Sequence, residues 1–171
     1  MSDGRTAKVP FDLDAYAERV RTGGCFVCAL VAGEPGSFHE IVYEDADHVA
    51  FLSRYPTLEG YTLVCPKRHV EDAVGGFDEA SYLAVQRVVR RVGIGLRAVL
   101  PVERVYVMSL GSMQGNAHVH WHVAPLPPGV PYGEQQFHAL MAENGVLDQS
   151  PAERAALAER LRAVLDASTE A

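Results

Sequence analysis

The chain has 171 residues, of which 48% are hydrophobic and 22% are charged. These proportions are typical of a folded globular protein and exclude a disordered or fibrous chain. The formal net charge of −7 argues against a nucleic-acid partner, because neutralising DNA or RNA phosphates requires clustered lysine and arginine. A small phosphorylated ligand in a local pocket is compatible with this charge.

The polar first residues and the spacing of the cysteines both predict a reducing, cytoplasmic compartment. The first residues, MSDGRTAKVPFDLDAY, are polar and acidic, and no later segment approaches the roughly 20 apolar residues of a membrane span. Three cysteines, two of them spaced C-x-x-C, are typical of a metal site in a reducing environment rather than of an extracellular disulfide framework. We therefore expect a cytoplasmic protein with no membrane partner.

The first predicted element is a short amphipathic helix. Asp12 is placed to cap it, and Tyr16 and Val20 share one of its faces before Gly23 ends it. We interpret residues 1–21 as an N-terminal arm.

Three short strands are predicted next, each rich in β-branched or aromatic residues and bounded by turn formers. They are EIVYE from Glu40, VAFLS from Val49 and GYTLVCP from Gly60. Their close spacing favours antiparallel neighbours.

The second half of the chain begins with a long amphipathic helix over Phe77 to Leu100. Two alternating strands then follow, RVYVMSL from Arg104 and AHVHWHVAP from Ala117, joined by the glycine-rich segment GSMQG. A final helix is predicted to begin at Ser150-Pro151-Ala152-Glu153, which has the form of a capping box.

Strands and helices are segregated along the chain, and this predicts an α+β fold rather than an alternating parallel sheet. We expect a central domain over residues 22–130. Residues 131–171 are expected to form a C-terminal extension that packs on the same domain.

Three histidines alternate with apolar residues in His118-Val119-His120-Trp121-His122. Alternate side chains of a strand project from the same face, so the three imidazoles are predicted to share one side while the apolar residues face the core. Crowding three titratable rings together has no structural benefit, because apolar cores seldom tolerate clustered polar groups. The run therefore indicates chemistry.

One interpretation of the run is a catalytic metal held by all three histidines. At about 3.3 Å per residue the outer two Cα atoms lie roughly 13 Å apart, whereas each ligating nitrogen must come within about 2.1 Å of the ion. Two of them could share a metal with ligands from elsewhere, but hardly three. The other interpretation is nucleophilic catalysis, in which the middle imidazole attacks and its neighbours orient it or stabilise charge.

A C-x-x-C pair, Cys25 and Cys28, precedes the predicted strands. Structural zinc sites use such close pairs, and zinc prefers four nitrogen and sulfur ligands, so two more are needed. The alternative is a redox-active or merely buried cysteine pair, although no thioredoxin-like βαβ pattern surrounds it.

The run His118-Val119-His120-Trp121-His122 resembles the signature of the histidine triad family. The resemblance extends from CFVC at Cys25, through EIVYEDADHVAFLSRYP and GYTLVCPKRHVED, to the segment APLPPG after the triad. It implies an α+β fold with a five-stranded antiparallel sheet and a long helix. It also implies a homodimer that acts on nucleoside phosphates, and it makes residues 22–130 the histidine triad domain.

The resemblance implies a role for each histidine. His120 takes the position of the family's nucleophile, with its other ring nitrogen held by a backbone carbonyl, and His122 would contact the phosphate. In zinc-bearing members the histidine of the PKRH segment and the first triad histidine complete the metal site. These are His69 and His118, so the implied zinc ligands are Cys25, Cys28, His69 and His118.

Polar residues ahead of the triad are candidates for binding the substrate phosphate, because catalysis of phosphoryl transfer rests mainly on positioning and on donors aimed at phosphate oxygens. They are Ser109, Ser112, Gln114 and Asn116. Each could instead belong to an ordinary polar turn.

Two positions depart from the family pattern. Gly115 stands where many members have serine, and Ser53, a candidate ribose contact, stands where the family often has Asp or Asn. We expect Gly115→Ser and Ser53→Asp to strengthen turnover of adenosine conjugates. Phe26, Val27, Phe51 and Leu52 are candidates for a base pocket, or else core residues.

The function implied is a nucleotide hydrolase or nucleotidyltransferase. It would cleave small nucleotide conjugates, phosphoramidates or dinucleoside polyphosphates, at the nucleoside-linked phosphorus through a nucleotidyl-histidine intermediate. The alternative is a zinc-stabilised nucleotide-binding module with little turnover. The partner in either case is a small nucleotide or nucleotide conjugate.

Overall fold

A five-stranded antiparallel sheet, in the order β2-β3-β4-β6-β5, forms the centre of a computed structural model that describes residues 7–167. The elements are β1 Lys8–Val9, α1 Leu13–Thr22, α2 Phe26–Ala32, β2 Ile41–Glu44, β3 His48–Leu52, β4 Thr62–Pro66, α3 Glu79–Val99, β5 Arg104–Ser109, β6 Trp121–Leu126, α4 Phe137–Leu140, β7 Val146–Leu147 and α5 Pro151–Ala167. The predicted α+β fold, with its five-stranded sheet and long helix, is confirmed. None of the helices within residues 7–167 is long and apolar enough to cross a membrane.

The long helix α3 covers one face of the sheet. Asp78 caps it by accepting a hydrogen bond from the backbone N–H of Ser81. The helix buries an apolar stripe in the main core, formed by Val85, Val88, Val89, Val92 and Leu96. This helical spacing of apolar residues is what the sequence pattern predicted.

The C-terminal helix α5 packs against both α3 and strand β2, and its Leu157, Leu161 and Leu165 join the main core. It begins with the predicted capping box, in which the Ser150 Oγ accepts from the backbone N–H of Glu153 and Glu153 accepts from the backbone N–H of Ser150. The helices approach closely at Gly95, where a Cβ would lie 2.9 Å from Cδ2 of Leu165. Glycine inside α3 therefore serves helix packing.

The short helix α2 covers the opposite face of the sheet and was not predicted. Its Val27 packs with Phe51 and Cys65 in a separate core cluster. Cys25 caps the helix by accepting from the backbone N–H of Cys28, and Gly33 ends it at a φ of 68°. Seven apolar residues are too short a run to distinguish a helix from a strand by periodicity.

The strand that carries the triad begins later than predicted. The expectation placed residues 117–125 in one strand, but β6 begins at Trp121. The preceding segment bonds to the loop after β4, with the backbone N–H of Val119 donating to the carbonyl of Val70. His118 and His120 therefore lie before the strand, and only His122 lies in it.

The N-terminal residues lie beside the sheet. Asp12 caps α1 as predicted, accepting from the backbone N–H of Ala15. Strand β1 pairs with β7, so the chain before α1 is tied to the segment before α5.

Candidate active site and metal cluster

A cavity of about 690 Å³ opens on the face of the sheet that α2 covers, and His120 and His122 both line it. Pockets for small ligands have volumes of this order. Side chains of α1, α2 and the 111–116 loop form its walls. The cavity is thus large enough for a nucleotide and places two of the three triad histidines beside it.

The His120 ring is held by a hydrogen bond to a backbone carbonyl of its own segment. Its Nδ1 lies 2.7 Å from the carbonyl oxygen of His118, and the side chain is 4% exposed. A neutral imidazole has one donor and one acceptor nitrogen, so a proton on Nδ1 leaves Nε2 with a free lone pair. Burial lowers the pKa of His120, and the carbonyl opposes this effect only in part. The ring is therefore neutral at pH 7 and keeps a lone pair on Nε2.

His122 lies next to it, with the two ring centroids 4.7 Å apart. Its Nδ1 is 3.1 Å from the hydroxyl oxygen of Tyr61. Burial, together with His120, lowers the pKa of His122 to about 4. This ring is also neutral near pH 7.

His118 lies apart from this pair, although it was also predicted to be catalytic. It is 1% exposed, and its Nε2 donates to the carbonyl oxygen of Pro66 at 2.8 Å. Its Nδ1 lies 3.3 Å from Sγ of Cys25. The structure therefore places His118 in the cysteine cluster, and its carbonyl rather than its ring contacts His120.

Four potential metal ligands meet at this cluster: Cys25, Cys28, His69 and His118, whose ligand atoms all lie within 4.8 Å of one another. The Sγ of Cys28 lies 3.3 Å from Nδ1 of His69 and 3.7 Å from Nδ1 of His118. Ligand lengths of about 2.3 Å for sulfur and 2.1 Å for nitrogen give a tetrahedral edge of about 3.6 Å. The spacing fits one tetrahedral ion.

The hydrogen bonds around the cluster fit a metal too. The Nε2 of His69 lies 3.0 Å from a carboxylate oxygen of Glu71, and the Nε2 of His118 is bound to a carbonyl. Both histidines therefore bind an oxygen atom through Nε2 and turn Nδ1 towards the cysteine sulfurs, which is the usual arrangement of metal-bound histidine. Burial raises the pKa of the Cys28 thiol to about 11, so the thiolate that a metal needs would be stabilised by the metal's own charge.

The predicted phosphate-binding residues divide into two groups. Ser112, Gln114 and Asn116 line the cavity. Ser109 is not among the lining residues. Its hydroxyl instead donates to the backbone carbonyl of His120 at 2.9 Å. Ser109 thus holds the backbone at His120.

Helix α1 fixes the loop that carries the phosphate-binding candidates. The side-chain amide of Asn116 donates to the hydroxyl of Tyr16 at 2.9 Å, and Asn116 has a φ of 55°. A Cβ on Gly115 would lie 2.9 Å from Cγ2 of Val20. The space that a side chain at position 115 would need is therefore filled by α1, and this argues against our expectation that Gly115→Ser alone improves the site.

Ser53 lines the cavity, as a ribose contact must. Its Oγ accepts from the backbone N–H of Tyr55 at 3.2 Å. Of the candidates for a base pocket, Phe26 lines the cavity with its ring centroid 5.9 Å from that of His120, whereas Val27, Phe51 and Leu52 are buried core residues.

Several cavity residues were not found from the sequence. Phe11, Tyr16 and Tyr55 form a ring cluster with centroids 5.0–5.7 Å apart at one wall. Tyr61 and His39 also line the cavity. The amphipathic pattern of α1 was visible in the sequence, but nothing in it showed which loop that helix covers.

The sheet thus has His120 and His122 beside a cavity on one face, with a Cys₂His₂ cluster next to them. The model of the HIT domain family matches residues 37–128. An uncharacterized HIT-like protein of Mycoplasma genitalium is 31% identical over 111 residues, which make up 63% of this chain and 77% of that protein. Another, from Mycobacterium tuberculosis, is 33% identical over 104 residues, or 59% of this chain and 70% of that protein.

Solved structures share the fold. A Zn-bound histidine triad family protein from Mycobacterium smegmatis superposes with a TM-score of 0.67 at 24% identity, covering 86% of this chain and 96% of that one. A hypothetical histidine triad nucleotide-binding protein from Sulfolobus tokodaii strain 7 gives a TM-score of 0.67 at 24% identity, covering 84% and 93%. The chain belongs to the HIT domain family.

Proposed function

We propose that this chain is a nucleotide hydrolase or nucleotidyltransferase. It cleaves phosphoramidates or dinucleoside polyphosphates at the nucleoside-linked phosphorus, through a nucleotidyl-His120 intermediate. The observation that carries the proposal is the 2.7 Å contact between Nδ1 of His120 and the carbonyl of His118. It leaves Nε2 as the nucleophilic nitrogen of a ring that lines a cavity of nucleotide size.

In the first step the lone pair on Nε2 of His120 forms a bond to phosphorus, and the bond from phosphorus to the leaving group breaks. An amine leaving group takes a proton from water in the cavity, whereas a phosphate leaving group departs as an anion. The ring keeps its Nδ1 proton and becomes positively charged. The carbonyl of His118, which accepts that proton's hydrogen bond, stabilises this charge.

In the second step water attacks the same phosphorus, and the bond from phosphorus to Nε2 breaks. The electron pair returns to His120, one proton of the water goes to solvent, and a nucleoside monophosphate is released. Two displacements replace one difficult displacement, which is the general advantage of covalent catalysis. A second acceptor, such as phosphate, would take the place of water in a transferase.

Polar groups of the 111–116 loop are proposed to hold the phosphate. Ser112, Gln114 and Asn116 line the cavity beside His120, and His122 lies on the same wall. Donors fixed in advance around a phosphate stabilise charge without reorganising during the reaction. Ser53 is proposed to contact the ribose.

The cluster of Cys25, Cys28, His69 and His118 is proposed to hold one zinc ion with a structural role. Its four ligand atoms, two sulfur and two nitrogen, suit zinc, and zinc in such closed sites contributes to folding. Bound there, the ion would join α2 to the segment that carries the nucleophile. The Zn-bound relative from Mycobacterium smegmatis supports this assignment.

We also propose that two copies form a homodimer. Strand β5 is at the edge of the sheet, and Val107 on this strand is 50% exposed. An apolar, unpaired edge favours association with another chain. Light scattering on a sizing column should give twice the chain mass, and a monomer at micromolar concentration would contradict this part of the proposal.

Turnover of a panel of nucleotide conjugates tests the function. Wild type and His120→Ala are compared on an adenosine phosphoramidate of a simple amine and on a diadenosine polyphosphate, with AMP release measured. We expect turnover of at least one conjugate by wild type and none by the variant. Tight AMP binding without turnover of any conjugate would favour a zinc-stabilised nucleotide-binding module instead.

A further inference from the structure

Tyr61 contacts a triad histidine but has no place in the mechanism so far. Its side chain is 8% exposed, and its hydroxyl oxygen lies 3.1 Å from Nδ1 of His122. The tyrosine itself is held firmly. Its carbonyl accepts from the backbone N–H of Ser53 at 2.8 Å, and its N–H donates to the carbonyl of Leu58. The hydroxyl is therefore a fixed partner for the imidazole.

The direction of this hydrogen bond follows from what each atom has available. Within residues 7–167, Nδ1 of His122 is the one hydrogen-bond partner of the Tyr61 hydroxyl. If Nδ1 carried the proton, it would donate to the phenol oxygen, and the buried phenol hydrogen would have no acceptor. Such an unpaired buried donor costs about 1–3 kcal/mol. The phenol therefore donates, and burial raises the pKa of Tyr61 to about 12, so its proton is present at neutral pH.

The surroundings of the other ring nitrogen of His122, Nε2, decide which neutral tautomer the ring adopts. In the part of the chain that the structure describes, Nε2 of His122 is buried without a hydrogen-bond partner. The backbone carbonyl of Leu110 favours a proton on this ring, whereas His120 disfavours a positive charge there. A neutral ring with its proton on Nε2 satisfies both neighbours. In this tautomer Nδ1 accepts from Tyr61, and the buried Nε2 carries the proton that the Leu110 carbonyl favours.

We propose that Tyr61 is a positioning residue that donates to Nδ1 of His122 and thereby fixes this ring, which lies beside His120, as the neutral Nε2–H tautomer. The expected effect on turnover rests on the proposed function, whereas the tautomer does not. Fixing a tautomer through the opposite ring nitrogen is a general way in which proteins tune histidine.

The tautomer can be observed directly. Long-range ¹H–¹⁵N spectra of ¹⁵N-histidine-labelled protein at pH 7, with His122 assigned by comparison with His122→Gln, report which nitrogen carries the proton. We expect Nε2 protonated and Nδ1 bare in wild type, and a rise in the Nδ1–H form in Tyr61→Phe. Tyr43→Phe is the matched control, since Tyr43 donates to Asp45 at 2.9 Å away from the site. It should leave the His122 signals unchanged.

Turnover supplies the second readout. For Tyr61→Phe on an adenosine phosphoramidate, kcat and kcat/KM should fall together by about ten- to hundredfold, with KM within a few-fold of wild type. A wild-type spectrum with Nδ1 protonated overturns the proposal, even if the variant fails to fold. An unchanged tautomer in a folded variant also overturns it. If wild type turns over no conjugate, the spectra still decide the tautomer, and only the expected effect on turnover is lost.

Discussion

The short segment 118–122 contributes histidines to two regions, the cysteine cluster and the cavity, in which the ring nitrogens are paired differently. In the cysteine cluster, His118 has both ring nitrogens engaged, one by a carbonyl and one by a cysteine sulfur. In the cavity, two residues further on, His120 has only its Nδ1 bound among residues 7–167, so the lone pair of its Nε2 is open to a ligand. The cluster is closed and the cavity is incomplete.

The difference separates a structural role from a chemical one. A group whose hydrogen-bonding capacity is filled by the protein stabilises the fold, whereas an unfilled group in a cavity is available to a ligand. If this distinction is correct, substitutions in the cluster change stability and metal content first. Substitutions in the cavity change turnover first.

The largest expected effect is on turnover in the cavity. His120→Gly removes the nucleophile and should lower kcat by several orders of magnitude while leaving the melting temperature close to that of wild type. The control is His138→Ala, because His138 is an exposed histidine and its loss should leave turnover unchanged. A folded His120→Gly protein that kept more than about a tenth of wild-type kcat would remove the assignment.

The next effect is on the cluster. Cys28→Ser should lower the zinc content from one per chain to near zero and destabilise the protein by on the order of 3 kcal/mol, or ~10 °C in Tm. Turnover measured below the new Tm should fall much less than in His120→Gly. Cys65→Ala is the control, because Cys65 is a buried core residue that is not one of the four ligand residues, so its loss should leave zinc bound. Full zinc content in Cys28→Ser would show that the ligand set is different.

Much of this architecture could be predicted from the sequence. The strands, the long helix and the capping box of α5 depend on local patterns, and the structure has them. The cluster of Cys25, Cys28, His69 and His118 came from spacing and resemblance, and the structure brings these four residues together.

Contacts between distant segments could not be predicted in the same way. The bond from Asn116 to Tyr16 and the packing of Val20 against Gly115 join the N-terminal helix to the triad loop. The pattern of residues predicts helix α1 but not the surface on which this helix packs. Ser109 shows the same limit, because a serine beside an active site is equally suited to a ligand or to a backbone carbonyl.

A third prediction concerns the space that α1 occupies. Gly115→Ser should destabilise the protein by about 1–3 kcal/mol without raising kcat/KM, because the new Cβ meets Val20 at 2.9 Å. Val20→Ala removes the contacting methyl groups, so the double variant should recover most of that stability. Thermal melts of both single variants and the double variant measure the coupling. Additive effects would mean that α1 does not pack on the loop.

The smallest expected effect on turnover comes from removing a single hydroxyl group, that of Tyr16. Tyr16→Phe removes the acceptor of the Asn116 side-chain amide and should lower kcat/KM about three- to tenfold, corresponding to about 1 kcal/mol. Tyr132→Phe is the control, since Tyr132 is 80% exposed. Equal kcat/KM values for wild type and Tyr16→Phe would show that α1 does not position the loop for catalysis.

The central claim is that His120 forms the covalent intermediate. Rapid acid-free quenching of wild type with an adenosine phosphoramidate, followed by proteolysis and mass spectrometry, tests it directly. The account predicts an adenylyl group on the peptide that contains residues 118–122, carried by His120 and absent from His120→Gly. Steady turnover with no adenylated peptide at any quench time, or an adenylyl group on a different residue, would contradict it.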